Sequence, residues 1–160
     1  MEAQAPRFIA DTMLGRLARW LRILGCDVEY FPRIPDDALA ERVAATGRIL
    51  LTRDTLLVQR RKVRGRCFFV QGDRYADQVR QVVERFGLLE ALRPFSRCVC
   101  CNVPLEEIPR AAVEGRVPPY VFRTQERFAA CRGCGRLFWP ATHHEAMRRH
   151  LAKILGAPPA

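Results

Sequence analysis

The sequence predicts an α/β fold: a mostly parallel sheet layered with helices, followed by a small metal-binding appendage. Three observations predict it. Over about ninety residues, apolar runs of strand length alternate with amphipathic stretches of helical period, the order found in parallel-sheet domains. Runs such as "ILL" (49–51) and "CFFV" (67–70) are continuously apolar, as in strands covered on both faces. Past Arg93-Pro94 the pattern gives way to cysteines, prolines and short irregular pieces.

"RFIAD" (7–11) reads as the first strand. "TMLGRLARWLRIL" (12–24) places Leu14, Leu17, Ala18, Leu21 and Leu24 on one helical face, and Gly25 ends it as a C-terminal cap. "DVEYF" (27–31) is the second strand, with Val28 and Tyr30 alternating against Asp27 and Glu29. A loop runs from Pro32 to Pro35. "DDALAERVAATG" (36–47) is a helix with Leu39, Val43 and Ala44 apolar and Gly47 as its stop. "RILLT" (48–52) is the third strand, "TLLVQRRK" (55–62) a short helix, "RCFFVQ" (66–71) the fourth strand, and "ADQVRQVVERFGLL" (76–89) the next amphipathic helix. A closing helix is predicted over 142–155, opened by the capping-box spacing of Thr142 and Glu145, with a frayed "GAPPA" behind it. The division by composition is 1–94 and 95–160.

The chain has 160 residues, 49% of them apolar, which suits one domain with a core and a small appendage. No run approaches the roughly 18 apolar residues of a membrane span. The stretch "MEAQAPRFIAD" lacks the basic-then-apolar order of a signal peptide. A cytoplasmic protein without a membrane partner is expected. Net charge is +10, spread as 17 basic against 12 acidic residues through Arg93 and 10 against 5 beyond it. An evenly basic globular chain suits a polyanion, most often nucleic acid, although arginine-rich chains also arise without one. Four of the seven cysteines sit in two C-x-x-C pairs, a pattern a disulfide framework does not need.

Ligands of an open parallel sheet bind beyond the carboxyl ends of its strands. The sequence places Asp11 after the first strand, Asp36 and Asp37 at the helix after the second, Asp54 after the third and Asp73 after the fourth. Carboxylates gathered together raise one another's pKa values unless a cation intervenes. Mg²⁺ or Mn²⁺ takes such oxygen ligands, and such an ion polarises a phosphodiester and activates water. In a basic chain this reads as a metal-dependent nuclease centre. Asp11, Asp36 and Asp54 are its leading candidates, with Asp37 and Asp73 behind them. Simpler roles compete: Asp36 or Asp37 as a helix N-cap, and Gly72-Asp73 as an ordinary turn. Arg53 adjoins Asp54, but alternation along a strand turns the two side chains to opposite faces.

Cys98-x-x-Cys101 and Cys131-x-x-Cys134 form two knuckles of a four-cysteine zinc site. The 29 residues between them are an inserted loop, longer than the usual spacing of about 15–20. Four thiolates close the coordination shell, so this zinc is structural. Gly133 and Gly135 suit the tight turn. Cys100 is a bystander, Cys26 and Cys67 sit at core positions, and His143 and His144 have surface or packing roles. "RRKVRGR" (60–66) resembles a phosphate-binding patch, but its place between a helix end and the fourth strand puts it at the rim opposite the acids. Arg16 and Arg19 point away from the apolar face of the first helix, near Asp11, and are better candidates for RNA phosphates. Arg53 joins them as an RNA-contacting candidate without a specific role. Phe122, Phe128, Phe138 and Trp139 stack bases or fill a small core.

With "FIADTMLGRLARWLRILGCDVEY", "PDDALAERVAATGRILLTRD" and "RCVCCNVPLE…CRGCGRLFW" in view, the chain resembles the PIN-like RNase domain with a C-terminal zinc ribbon, found alone in prokaryotes and at the C-terminus of Mut-seven exonucleases. The resemblance runs from about Phe8 to Met147. It implies a PIN-like three-layer domain and metal-dependent RNA cleavage. It carries over Asp11, Asp36 and Asp54 as the acidic centre and the four ribbon cysteines as zinc ligands. Ala141 and His144 stand where the family tends to have Gly and Trp, at the ribbon's edge. The leading hypothesis is a ribonuclease using structural zinc and catalytic Mg²⁺ or Mn²⁺. The alternative is a non-catalytic RNA- or ribosome-binding module, associated with the ribosome or RNA processing. A phospho-acceptor domain also clusters Asp at strand ends, but it needs neither ribbon nor basic charge.

Overall fold

The computed structural model describes residues 4–141 and 144–158. Strands β1 (Phe8–Ala10), β2 (Val28–Tyr30), β3 (Ile49–Thr52) and β4 (Cys67–Phe69) form one sheet in the order β2-β1-β3-β4. All three pairings are parallel. Helices α1 (Gly15–Ile23), α2 (Asp36–Thr46) and α3 (Tyr75–Arg85) follow the first, second and fourth strands. A short 3₁₀ turn, Leu57–Gln59, follows the third. The α/β expectation holds, and the sheet is parallel throughout.

Pleat alternation divides the core. Phe8, Ala10 and Leu51 face one side, packed with Leu17 and Leu21 of α1 and Val79 and Val82 of α3. Ile9 and Leu50 face the other, packed with Leu39, Ala40 and Val43 of α2 and with Leu57 and Val63. Both faces are dry along β1 and β3, which is why those strands read as apolar runs; the edge strand β4 departs from the expectation for 67–70, since Phe69 is 37% exposed. The result is a three-layer domain.

The helix expected over 12–24 starts as a 3₁₀ turn, Thr12–Leu14, before α1 proper. Asp11 caps that turn by accepting from the Thr12 amide. Gly15 opens α1, and a Cβ there would lie 2.6 Å from the Tyr30 hydroxyl. Gly25, with φ of +92°, ends this segment as expected. Asp36 and Asp37 are not the N-cap of α2: Pro35 is. They occupy the first turn, where the helix dipole favours negative charge.

The C-terminal region holds a second, antiparallel sheet of β5 (Glu106–Ile108), β6 (Phe128–Ala130) and β7 (Leu137–Phe138), with helix α4 (Pro119–Thr124) in the inserted loop. Val113, Val117 and Phe128 form its small core. Helix α5 (His144–Leu155) closes the chain. It returns to α3 and adds Leu151 and Ile154 to the first core, and Arg80 Nε donates to the Ile154 carbonyl at 2.9 Å. Thr142 and His143 lie outside the described residues, and with them the expected capping box.

Candidate active site and metal centre

β1 connects to β2 on one side, while β3 pairs with β1 on the other. The sheet's switch point therefore lies between the carboxyl ends of β1 and β3, where ligands of such folds bind. Asp11 and Asp54 are delivered there. Asp11 is only 4% exposed. Its backbone amide extends the ladder to the Leu51 carbonyl at 2.9 Å. Its Oδ1 accepts from the Thr12 amide at 2.7 Å, and its Oδ2 accepts from the Thr52 hydroxyl at 2.8 Å. The same Thr52 oxygen accepts from the Asp54 amide at 2.9 Å. One buried hydroxyl thus ties the two acids together. Asp54 Oδ1 accepts from the amides of Leu56 and Leu57 at 2.8 and 3.1 Å, which sets its side-chain orientation.

The other candidates are engaged by arginines. Arg60 pairs with Asp37 and lies 3.9 Å from Asp36 Oδ2. Arg53 pairs with Asp73 at 2.5 Å, which assigns the arginine a partner two elements away instead of its neighbour Asp54. Among the described residues, no three carboxylates place an oxygen each within 4.8 Å of one another; the four ribbon cysteines alone form such a ligand group. The position of Arg60 corrects the expectation for residues 60–66: this segment starts at the acidic rim and runs down α2, with Lys62 pairing with Glu41. Arg16 and Arg19 are exposed on α1, and the Arg16 guanidinium lies 4.2 Å from the centre of the Tyr75 ring.

Cys98, Cys101, Cys131 and Cys134 bring their sulfurs within 4.8 Å of one another. The two knuckles are built alike. The amides of Asn102 and Gly135 donate to the carbonyls of Cys98 and Cys131, each at 2.9 Å. The amides of those two cysteines donate onward to Val103 and Arg136. Asn102 (φ +60°) and Gly135 (φ +72°) both take the left-handed conformation the turn requires. Gly133 completes the cradle, since a Cβ there would sit 3.0 Å from Cys101 Sγ. The Cys134 and Gly133 amides bring the Cys131 thiol down to about 7. Hydrogen bonding to Cys134, with burial, pushes Cys101 up to about 12. Four crowded thiols cannot all ionise without a cation, and one Zn²⁺ removes the conflict. The donor set fits zinc. His144 lies instead against Phe95, ring centres 4.1 Å apart. Burial pushes Cys26 up to about 12 and raises Cys67, in keeping with packing roles.

The first knuckle is bonded into the layers of the parallel-sheet domain. Arg22, buried on α1, donates to the carbonyls of Val28 and Val99, each at 2.8 Å. Asn102 accepts from the Val28 amide at 3.0 Å and donates to Asp27 at 2.7 Å. Asp27 in turn pairs with the buried Arg48 at 2.7 Å. Burial would raise Asp27, but the Arg48 and Asn102 hydrogen bonds outweigh it and hold its carboxyl below the ordinary value. Sequence reasoning missed Thr52, Arg22 and Asn102, and singled out Arg60 only as part of a basic patch, not as the partner of Asp37. Asn102 had a signal: it stands four residues after the first cysteine of its knuckle, as Gly135 does in the other, and Asn is the side chain that best tolerates that conformation after Gly.

Known families bear on this architecture. The model of the Mut7-C RNAse domain matches residues 6–151, from just before β1 to Leu151 in α5. The chain belongs to that family. The match spans sheet and ribbon together, so the Mut7-C RNAse domain here includes both. No curated protein and no solved structure matches the chain. Membership brings a ribonuclease-type function and, with it, RNA as substrate class. No described helix is long and apolar enough to cross a membrane.

Proposed function

We propose that this protein is a cytoplasmic, metal-dependent ribonuclease that hydrolyses RNA phosphodiesters at the acidic rim of its parallel sheet. One observation carries the proposal: the Thr52 hydroxyl donates to Asp11 and accepts from the Asp54 amide, joining two acids at the switch point of a chain from a ribonuclease family. Asp11 and Asp54 would hold Mg²⁺ or Mn²⁺. Mg²⁺ keeps several waters and needs only one or two carboxylates, so the pair suffices without a ready-made triad. A bound ion of this kind supplies activated water and polarises the phosphodiester.

The remaining work falls to the chain's own groups. Thr12 and Thr52 orient Asp11. The Leu56 and Leu57 amides orient Asp54. Asp36 is the third acid, released when substrate phosphate competes for Arg60. Arg16 and Arg19 contact RNA phosphates, with Arg53 at the far edge beside Asp73. Asp37 and Asp73 support the rim through their arginine partners. Zinc at the four cysteines is structural.

A second reading, a non-catalytic RNA- or ribosome-binding protein, is favoured by one fact: Arg60 and Arg53 already neutralise Asp36, Asp37 and Asp73. Purified, zinc-loaded protein incubated with end-labelled RNA separates the two. Cleavage that appears only with added Mn²⁺ or Mg²⁺ is the expected result. Retarded but intact RNA at every metal concentration gives the second reading.

A further inference from the structure

A groove of about 420 Å³ opens between the ribbon sheet, the 93–97 linker and the start of α5, away from the acids. Its walls include Phe95, Phe138 and Trp139, with Arg97 and Arg127 among the polar groups. Its size falls within the range of about 300–1,000 Å³ typical of ligand sites.

Phe95 is the most informative residue in it. Its φ is +63°, a conformation costly for a bulky side chain. Two backbone bonds to the end of α1 enforce it: the Phe95 amide donates to Ile23 at 2.8 Å, and the Arg93 amide to Leu24 at 3.0 Å. The half-buried ring packs against the first core and also lines the groove, with His144 beside it and the Arg148 guanidinium 5.5 Å from its centre. Nothing in the acidic rim uses this strain. Arg97 is engaged by the Asn102 carbonyl at 2.7 Å and belongs to the floor. Arg127 is the second lining cation and pairs with Glu107, the acid among the lining residues, at 3.3 Å, while Arg148 is not part of the lining and reaches the groove through the Phe95 ring. Aromatic faces flanked by guanidinium groups are the chemistry that stacks an unpaired base and holds its phosphates, and the chain's +10 charge suits the same polyanion.

We propose that this groove is a nucleobase-binding subsite, taking one unpaired base of an RNA strand against the rings of Phe95, Phe138 and Trp139, with Arg127 and Arg148 on the adjacent phosphates. The proposal rests on RNA as the ligand of this chain. The groove adjoins Ile23 at the end of α1, whereas Asp11 precedes its start. The nine residues of α1 at 1.5 Å each separate the two by roughly 14 Å. The subsite therefore anchors a strand whose other part lies at the rim, and it favours substrates long enough to reach both.

The chain has two tryptophans, so Trp20→Phe leaves Trp139 as the only indole. This variant, zinc-loaded and without added Mg²⁺ or Mn²⁺, is titrated with single-stranded oligouridylate while fluorescence anisotropy of labelled oligomer reports binding separately. The expected result is saturable quenching of Trp139. An abasic oligomer of equal length should quench little. Phe95→Gly, which suits the left-handed backbone, should weaken binding about 10-fold. Arg127→Ala, at an exposed position, should weaken it several-fold and flatten its salt dependence. Binding by anisotropy with Trp139 emission unmoved overturns the groove and leaves RNA binding elsewhere intact. Loss of anisotropy binding as well overturns both readings. Equal quenching by the abasic oligomer, or unchanged affinity in folded Phe95→Gly and Arg127→Ala, also overturns it. A Trp139 shift that follows protein concentration instead of RNA assigns the groove to a second copy of the chain.

Discussion

Thr52 Oγ1 sits between the two acids at the head of the sheet, with Asp11 on one side and the Asp54 amide on the other. Thr52→Val keeps the shape and removes the hydroxyl, so Asp11 Oδ2 loses a buried donor at a cost of about 1–3 kcal/mol. Catalytic rate should fall about 10- to 100-fold, the usual effect of losing a group that positions a metal-holding carboxylate, while the far-UV circular dichroism spectrum stays that of wild type. An unchanged rate would remove Thr52 from the site. Asp27 makes a different prediction at the same scale. Its folded value lies below the ordinary 3.8, so its stabilising effect is complete above that value and is lost as pH falls through the folded one. In Asp27→Asn, the melting temperature should depend less on pH below about 4; an equally steep acid limb would contradict this. Asp11 and Asp54 were legible from sequence because apolar runs mark where strands end. Thr52 was not, because a β-branched residue closing a strand looks the same whether or not its hydroxyl has a partner.

At the scale of elements, the two zinc knuckles share one backbone plan although their sequences differ. Local spacing revealed the four-cysteine cluster, since two C-x-x-C pairs bring four sulfurs together whatever lies between them. Spacing could not show that Asn102 both takes the left-handed turn and reaches across to Val28 and Asp27. Replacing it with Gly tests the two roles separately: the turn survives, the cross-link does not. Asn102→Gly should retain zinc yet lose about 1–3 kcal/mol of stability in urea unfolding. Gly133→Ala should do the reverse and weaken zinc retention, because its new methyl presses on Cys101 Sγ; competition with a chromogenic chelator would measure this. The segment at 60–66 does lead into the start of β4, but its first residue, Arg60, departs from the expected rim because a loop's path depends on the helix it packs beside. Here α2 offers Asp36, Asp37 and Glu41 along one edge, and Arg60 and Lys62 follow that edge.

For the whole molecule, the layered sheet followed from periodicity, because strands dry on both faces and helices wet on one leave different patterns. The return of α5 to α3 did not, because tertiary partners of an amphipathic helix are absent from its own spacing. Ribbon and nuclease layers are joined through Arg22, Asn102 and α5. Zinc removal should therefore lower the melting temperature of the whole chain by about 10 °C or more, in one transition monitored both at Trp20 and at Trp139. Two separate transitions would mean that ribbon and sheet are independent.

The central claim is that Asp11 and Asp54 carry RNA cleavage, and the most direct measurement is the Mn²⁺-dependent cleavage rate of labelled RNA by zinc-loaded Asp11→Asn and Asp54→Asn. Asp73→Asn serves as the control from the same rim. Asp11→Asn and Asp54→Asn should each lose about 100-fold or more with zinc content and fold unchanged, while Asp73→Asn stays within a few-fold of wild type. Wild-type rates in both Asp11→Asn and Asp54→Asn would contradict the account.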